Sequence, residues 1–302
     1  MRVKVLGSAA GGGFPQWNCG CSNCRGVREH KSSASPQTQV QLAWSVEPEA
    51  WTLLNASPDL RAQIEATPEL WPREGARNSP IRDVVITGAE IDQVLGLLLL
   101  REFHSFRVHA TESVRKILTV DNSMFGVLAR FPGQVVWNDL RVGESATAGG
   151  ARMEVLLLAS AFPGFVSAAR SVELNAAEAS IGLIVAPESG GTFAFLPGAG
   201  SVSDELLERL ADCDVLFFDG TFWSNDEPYR IPGIHRTARQ MGHLPMSGDG
   251  GSIERFASVR RPRKLFIHLN NTNPVLDPDG EERKMVREAG WEVAFDGMEL
   301  IL

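Results

Sequence analysis

The sequence has no long apolar run, no surplus of positive charge and little cysteine, and each shortage removes a class of protein. Its longest strongly apolar stretch, Val94–Leu100, falls far short of the roughly 20 residues that a membrane-spanning helix needs. Lys and Arg number 29 against 37 Asp and Glu, a formal charge of −8 over 302 residues. A general nucleic-acid binder is therefore not expected, because phosphate affinity comes from clustered Lys and Arg. The opening Met-Arg-Val-Lys-Val-Leu lacks the apolar core of a signal peptide, so the expectation is a cytoplasmic protein without a membrane partner. The glycine-rich stretch Gly7–Gly13 lacks both the Gly-x-Gly-x-x-Gly spacing and the Gly-Lys-Ser/Thr of a phosphate loop. It reads as a tight connection leaving a strand. No Pro/Gly-rich linker and no solenoid-length repeat interrupts the chain, so one domain over 1–302 is expected.

What is present suits a packed globular chain: 43% hydrophobic and 22% charged residues, with length enough for a sizeable core. Apolar alternation and short apolar runs predict strands at 39–46, 52–55, 83–87, 107–110, 135–137, 152–158, 181–185, 192–196, 215–219 and 264–268, with a trailing strand over 291–302. Helices are predicted at 58–66, 93–102, 112–123, 203–211, 252–258 and 280–289. Pro58 fits a first helical turn with Ser57 as its cap, and Asp204 and Glu205 suit the start of the fourth helix. Strand sets followed by helices point to a layered α/β architecture with mixed sheets and outer helices. The trailing strand either pairs internally or forms the edge of a homodimer.

Three of the four cysteines, Cys19, Cys21 and Cys24, lie within six positions. In a reducing compartment such a cluster reads as a metal loop, here spanning 17–25, more readily than as disulfides. Structural Zn2+ takes four ligands, so one more is needed. Asn271, a water or a backbone group are candidates; Cys213, set in an apolar run, reads as core.

Three apolar strands end in metal-competent groups: Val84-Val85-Ile86 leads to Glu90, Asp92 and Gln93, Val215–Phe218 to Asp219, and Leu265-Phe266-Ile267 to His268. Apolar strands that each deliver one polar group at the same end build a convergent site. Taken singly, Asp92 and Glu90 also suit helix capping, Asp219 a turn, and His268 a hydrogen-bonded core position.

The order of these groups resembles the metallo-β-lactamase superfamily. The resemblance implies an αββα sandwich of two mixed β-sheets with outer helices. The family's first metal motif is His-x-His-x-Asp-His, and here that register holds Gly88, Glu90, Asp92 and Gln93. The family's bridging aspartate matches Asp219 and its last histidine His268. Its middle histidine is missing from 159–164. The resemblance thus leaves Asp92, Gln93, Asp219 and His268, with Glu90 beside them, as candidate metal ligands. This oxygen-rich set suits Fe(II) or Mn(II).

Longer signatures resemble the coenzyme PQQ biosynthesis protein B family: Gly13-Phe14-Pro15-Gln16-Trp17-Asn18-Cys19-Gly20-Cys21, Asn55-Ala56-Ser57-Pro58-Asp59-Leu60-Arg61, Phe218-Asp219-Gly220-Thr221-Phe222-Trp223, Met241-Gly242-His243-Leu244-Pro245 and His268-Leu269-Asn270-Asn271-Thr272-Asn273-Pro274. This resemblance implies a part in making pyrroloquinoline quinone. It further implies an iron- and O2-dependent hydroxylase that acts on the tyrosine of a Glu-Tyr dipeptide, with catalytic Fe2+, structural Zn2+ and other PQQ-pathway proteins as partners. A carrier of PQQ or of an intermediate, and a metal-dependent hydrolase, are the rival readings. Related hydrolases place a histidine beside the active site where His243 stands, which would make it a proton shuttle or a group that orients the substrate phenol; a structural loop histidine is the other reading. Asp59 and Arg61 either contact substrate carboxylates or pair on a helix surface.

Overall fold

The computed structural model describes residues 1–158 and 160–302. Six strands come first: β1 Arg2–Gly7, β2 Gln41–Ser45, β3 Trp51–Leu54, β4 Ile81–Val85, β5 Phe106–Thr111 and β6 Val135–Leu140. Eight follow: β7 Ser145–Ala148, β8 Ala151–Leu157, β9 Ile181–Pro187, β10 Phe193–Leu196, β11 Val215–Asp219, β12 Arg263–Ile267, β13 Trp291–Val293 and β14 Glu299–Ile301. The α-helices are α1 Ser22–Arg28, α2 Leu60–Glu65, α3 Ile91–Val94, α4 Glu112–Thr119, α5 Ala168–Glu173, α6 Asp204–Ala211, α7 Ser252–Arg255 and α8 Glu281–Glu288.

The strands form two seven-stranded sheets, ordered β14-β1-β2-β3-β4-β5-β6 and β13-β12-β11-β10-β9-β8-β7. Both are mixed: β3 to β6 and β10 to β13 run parallel, the remaining pairs antiparallel. Alternation along the strands assigns their faces. Phe193, Phe195, Phe217 and Leu265 join Val5, Leu42, Trp44 and Leu54 in a core between the sheets. Their neighbours Ala194, Leu216, Phe218 and Phe266 point the other way, onto Leu210, Phe256 and Val286 of the helical layer. On the far side, Leu53, Val84 and Val108 meet Leu60, Val94, Val114 and Ile117. Covered on both faces, β10 and the run Val215–Phe218 of β11 are apolar throughout. The result is the expected αββα sandwich.

Helix ends follow local chemistry. Thr111 caps α4 by accepting from the Val114 N–H, and Ser203 caps α6 by accepting from Leu206. The expected helix from Pro58 instead begins at Leu60, with Ser57 Oγ accepting from the Asp59 N–H. The expected helix over 93–102 is one α-turn, α3, followed by a 3-10 stretch over Leu95–Leu100. Gly96 lies against the Ala56 and Ser57 carbonyls with no room for a side chain, and that close approach shapes the segment. The largest correction concerns 291–302. It is two three-residue strands, β13 and β14, placed in different sheets and separated by a turn at Gly297 with φ of 89°. Both pair internally, with β12 and β1. Helices α1 and α5 and strand β7 were not anticipated from the sequence. Among the described residues, no helix is long and apolar enough to cross a membrane.

Candidate metal centre

Parallel strands put their C-terminal ends on one side of a sheet, and here both sheets present those ends to the same cavity of about 270 Å³. From β4 come Glu90, Asp92 and Gln93 at the start of α3; from the ends of β11 and β12 come Asp219 and His268. His243 reaches in from the loop after Gly242, whose φ of 87° closes a 3-10 turn. The chain beyond β1 joins the two halves, since Ala9 bridges to both Gln39 and Leu269.

Asp219 is fully buried. Its Oδ1 accepts from the Thr221 N–H at 3.0 Å and the Thr221 hydroxyl at 2.5 Å. Its Oδ2 accepts from the Ala199 N–H at 3.1 Å and lies 2.7 Å from His243 Nδ1. A carboxylate offers about four lone-pair directions, and all four are engaged. Burial favours the neutral acid, but the two histidines and the Thr221 hydroxyl outweigh it and hold the pKa below the ordinary carboxylate range. In this arrangement Asp219 anchors its neighbours before it serves as a ligand. Burial works against charge on His243 as well, yet Asp219, with Asp92 and Glu90 beyond, raises its pKa. With Nδ1 turned to Asp219, Nε2 is left for the cavity.

His268 closes β12 in the left-handed region, with φ of 61°. Such a conformation in a buried non-glycine residue carries strain of about 1–3 kcal/mol and turns the ring out of the strand's regular alternation. Its Nε2 lies 3.2 Å from Asp92 Oδ2, its Nδ1 2.7 Å from the Thr221 hydroxyl, and its ring stacks on His243 at 5.6 Å. Two donors on adjacent positions of an ion with bonds of about 2.1 Å stand about 3 Å apart, so the Asp92–His268 spacing suits a shared cation. Oxygen or nitrogen atoms of Asp219, His243 and His268 also lie within 4.8 Å of one another. The walls of the cavity raise the Glu90 pKa, and the Asp92 carboxylate adds to that rise. No Lys or Arg lines this cavity among the described residues.

Gly88 and Gln93, which replace the first and last histidines of the superfamily motif, depend on each other. A Cβ on Gly88 would stand 2.5 Å from Gln93 Oε1, so the carboxamide occupies the space that a side chain there would need. Among the described residues, Gln93 Oε1 is buried without a hydrogen-bond partner. A bound cation or a substrate N–H or O–H would satisfy it. In the loop 159–164, expected to lack the middle histidine, Ala159 lies outside the described residues; Ser160, Ala161 and Pro163 line the cavity.

The structure also groups the sulfurs of Cys19, Cys21 and Cys24 within 4.8 Å of one another. The Asn271 carboxamide nitrogen lies 3.0, 3.7 and 3.4 Å from the Cys19, Cys21 and Cys24 sulfurs. A 180° turn of that amide puts its oxygen in the same place and makes a fourth donor. Three sulfurs and an amide oxygen so arranged fit tetrahedral zinc. Asn23 donates to the Asn271 and Asn273 carbonyls and fastens α1 to this loop. Cys213 stands outside the group and packs in the core.

Asp59 Oδ2 accepts from the Gln39 N–H and side-chain amide, while Gln39 Oε1 accepts from the Gly12 N–H. Asp59 thus braces the glycine loop and forms no ion pair with Arg61 among the described residues. Thr221, which bonds both Asp219 and His268, was missed. The signal was a hydroxyl two residues beyond an aspartate at a strand end, a pattern that favours a side-chain turn.

A family model described as a beta-lactamase superfamily domain matches residues 50–269. Coenzyme PQQ synthesis protein B of Methylobacterium sp. (strain 4-46) is 41% identical over 304 residues, and that of Pseudomonas entomophila (strain L48) is 41% identical over 306, each match covering all of both chains. The crystal structure of a Zn2+-bound PqqB from Methylobacterium extorquens superposes with a TM-score of 0.92 at 39% identity, over the whole of both chains. A diphosphatase of the PhnP family, 20% identical with a TM-score of 0.68 over all of this chain and 98% of its own, shares the fold.

Proposed function

The chain belongs to the coenzyme PQQ synthesis protein B family, and from that premise we propose that it acts in pyrroloquinoline quinone biosynthesis as an iron- and oxygen-dependent hydroxylase of the tyrosine in a Glu-Tyr dipeptide. The observation that carries this reading is the donor set: Asp92 and His268 at 3.2 Å with Glu90 and Gln93 beside them, and a glycine where a hydrolase has its first histidine. Such oxygen-rich donors suit a single Fe(II) with open positions. Iron there would supply the activation of O2 that no amino-acid side chain provides. Asp92, His268 and, at the cavity mouth, Glu90 would hold it, with Gln93 Oε1 within the same wall.

The remaining work falls to the chain. The cavity carries carboxylates and, among the described residues, no Lys or Arg, so it favours the uncharged phenol ring over the substrate's own carboxylates. Phe222 stands edge-on to His243 at 5.8 Å and limits the space beside the imidazole. His243, backed by Asp219, holds a proton at Nε2 when charged and exchanges it with the phenol oxygen. In the overall change a ring C–H becomes C–OH, the second oxygen atom leaves as water, and an external reductant provides two electrons. The sulfur loop with Asn271 would hold structural zinc, set apart from turnover.

The test is anaerobic loading with Fe(II), followed by Glu-Tyr, a reductant and O2, with mass analysis of the product. A gain of one oxygen atom, labelled from 18O2 and dependent on iron, is expected. Oxygen-independent cleavage by zinc-loaded protein would move the assignment to a hydrolase. Tight PQQ binding without any turnover would move it to a carrier.

A further inference from the structure

We propose that Thr221 is a positioning residue that selects the tautomer of His268, so that the Nε2 lone pair faces Asp92 and the metal. The inference rests on the reading of His268 as a ligand, but its geometry stands without an ion. The Thr221 hydroxyl lies 2.5 Å from Asp219 Oδ1 and 2.7 Å from His268 Nδ1. It has a single proton to give. Both oxygens of the buried Asp219 carboxylate already accept backbone N–H groups, Oδ1 from Thr221 at 3.0 Å and Oδ2 from Ala199 at 3.1 Å, so Asp219 is placed to accept and the hydroxyl proton goes to it. The hydroxyl oxygen then accepts, and only an Nδ1–H on His268 can donate to it. A neutral His268 therefore carries its proton on Nδ1 and its lone pair on Nε2, 3.2 Å from Asp92 Oδ2.

Without a cation, a lone pair facing a carboxylate oxygen at that distance is repulsive. The opposite tautomer would relieve the repulsion by donating from Nε2 to Asp92. Thr221 blocks that escape and keeps both donors open. Its backbone N–H and hydroxyl both bind Asp219 Oδ1, and Asp219 Oδ2 in turn faces His243 Nδ1. One buried carboxylate thus orients both imidazoles, one directly and the other through the Thr221 hydroxyl. Partners of this kind behind a metal-binding histidine are commonly worth about 10–100-fold in metal affinity.

Long-range 1H–15N spectra of the histidine rings, recorded on zinc-loaded protein without iron at a pH where the ring is neutral, read the tautomer directly. Wild type and Thr221→Ser should show His268 as Nδ1–H, and Thr221→Val should shift it toward Nε2–H. Titration with Mn(II) should show binding weakened about 10–100-fold in Thr221→Val and restored to within about threefold in Thr221→Ser. An Nε2–H wild-type ring overturns the proposal, as does a Val variant with unchanged tautomer and affinity. Should Thr221→Val fail to fold, the wild-type spectrum alone decides. None of these readings depends on hydroxylation, so absence of turnover would refute the enzyme assignment and leave the tautomer result intact.

Discussion

Asp219 shows how one side chain can define a site's electrostatics without an open position of its own. Because its carboxylate raises the His243 pKa, Asp219→Asn should let His243 lose its proton at lower pH than in wild type, as followed by ring NMR. Glu227 is a second buried acid, bonded to the Trp223 N–H and the Thr272 hydroxyl, and burial lifts its pKa from 4.5 to about 7. A raised carboxyl favours the protonated folded state. Its stabilising contribution is therefore full below about pH 4.5 and lost as the pH rises through about 7. Glu227→Gln, whose amide oxygen can accept from the Trp223 N–H while its NH2 donates to the Thr272 oxygen in place of the bond the Thr272 hydroxyl now gives, should remove that slope and stabilise the protein at pH 8 by on the order of 2 kcal/mol in urea denaturation. Asp219 and His268 were legible in the sequence because each closes a run of apolar strand residues, and Asp92 because it opens a helix shortly after one. Thr221 left a local turn signal but not its contact with His268 on the neighbouring strand, and the interlock of Gly88 with Gln93 was not legible, since the fold of that connection, not its spacing, brings the carboxamide against the glycine.

Among the elements, α1 with its cysteine loop has the clearest dependence on a bound ion. Burial pushes the Cys24 thiol up to about 11, so a metal must displace that proton to bind there at neutral pH. Affinity for zinc should consequently fall as the solution becomes more acidic, and chelation should be easier at pH 6 than at pH 8 in a competition assay. The loop is tied through Asn271 to the segment that follows His268. Cys24→Ser should therefore weaken Mn(II) binding at the carboxylate site as well as abolish zinc binding, measured by metal content and titration. The three-cysteine spacing was readable as a metal loop because the clustering of ligands is local. The short α1 behind it was not, because its place is fixed by Asn23 reaching carbonyls some 250 residues away. The 3-10 stretch after α3 was misread for a similar reason: the contact of Gly96 with Ala56 and Ser57 overrides an apolar run that favours a regular helix.

At the scale of the molecule, the core between the sheets carries the site, because strands that converge there also aim their ends at one cavity. Phe217 is fully buried in that core, edge-on to Phe193 at 6.2 Å. Phe217→Ala should cost about 3–5 kcal/mol, seen as a lower urea midpoint. The layered class was legible from apolar strands alternating with helices. Which strands share a sheet was not, because pairing is settled by contacts distant in the sequence. The chain passes from one sheet to the other twice, between β6 and β7 at one side and between β13 and β14 at the other. The second passage leaves each sheet finished by a strand of only three residues. Strands so short give an incoming chain little backbone to pair with. A protein cut after Gly290 would bare the longer β12 and β1 at once, two open templates on one molecule, and light scattering should find it growing into assemblies while the full chain stays dispersed.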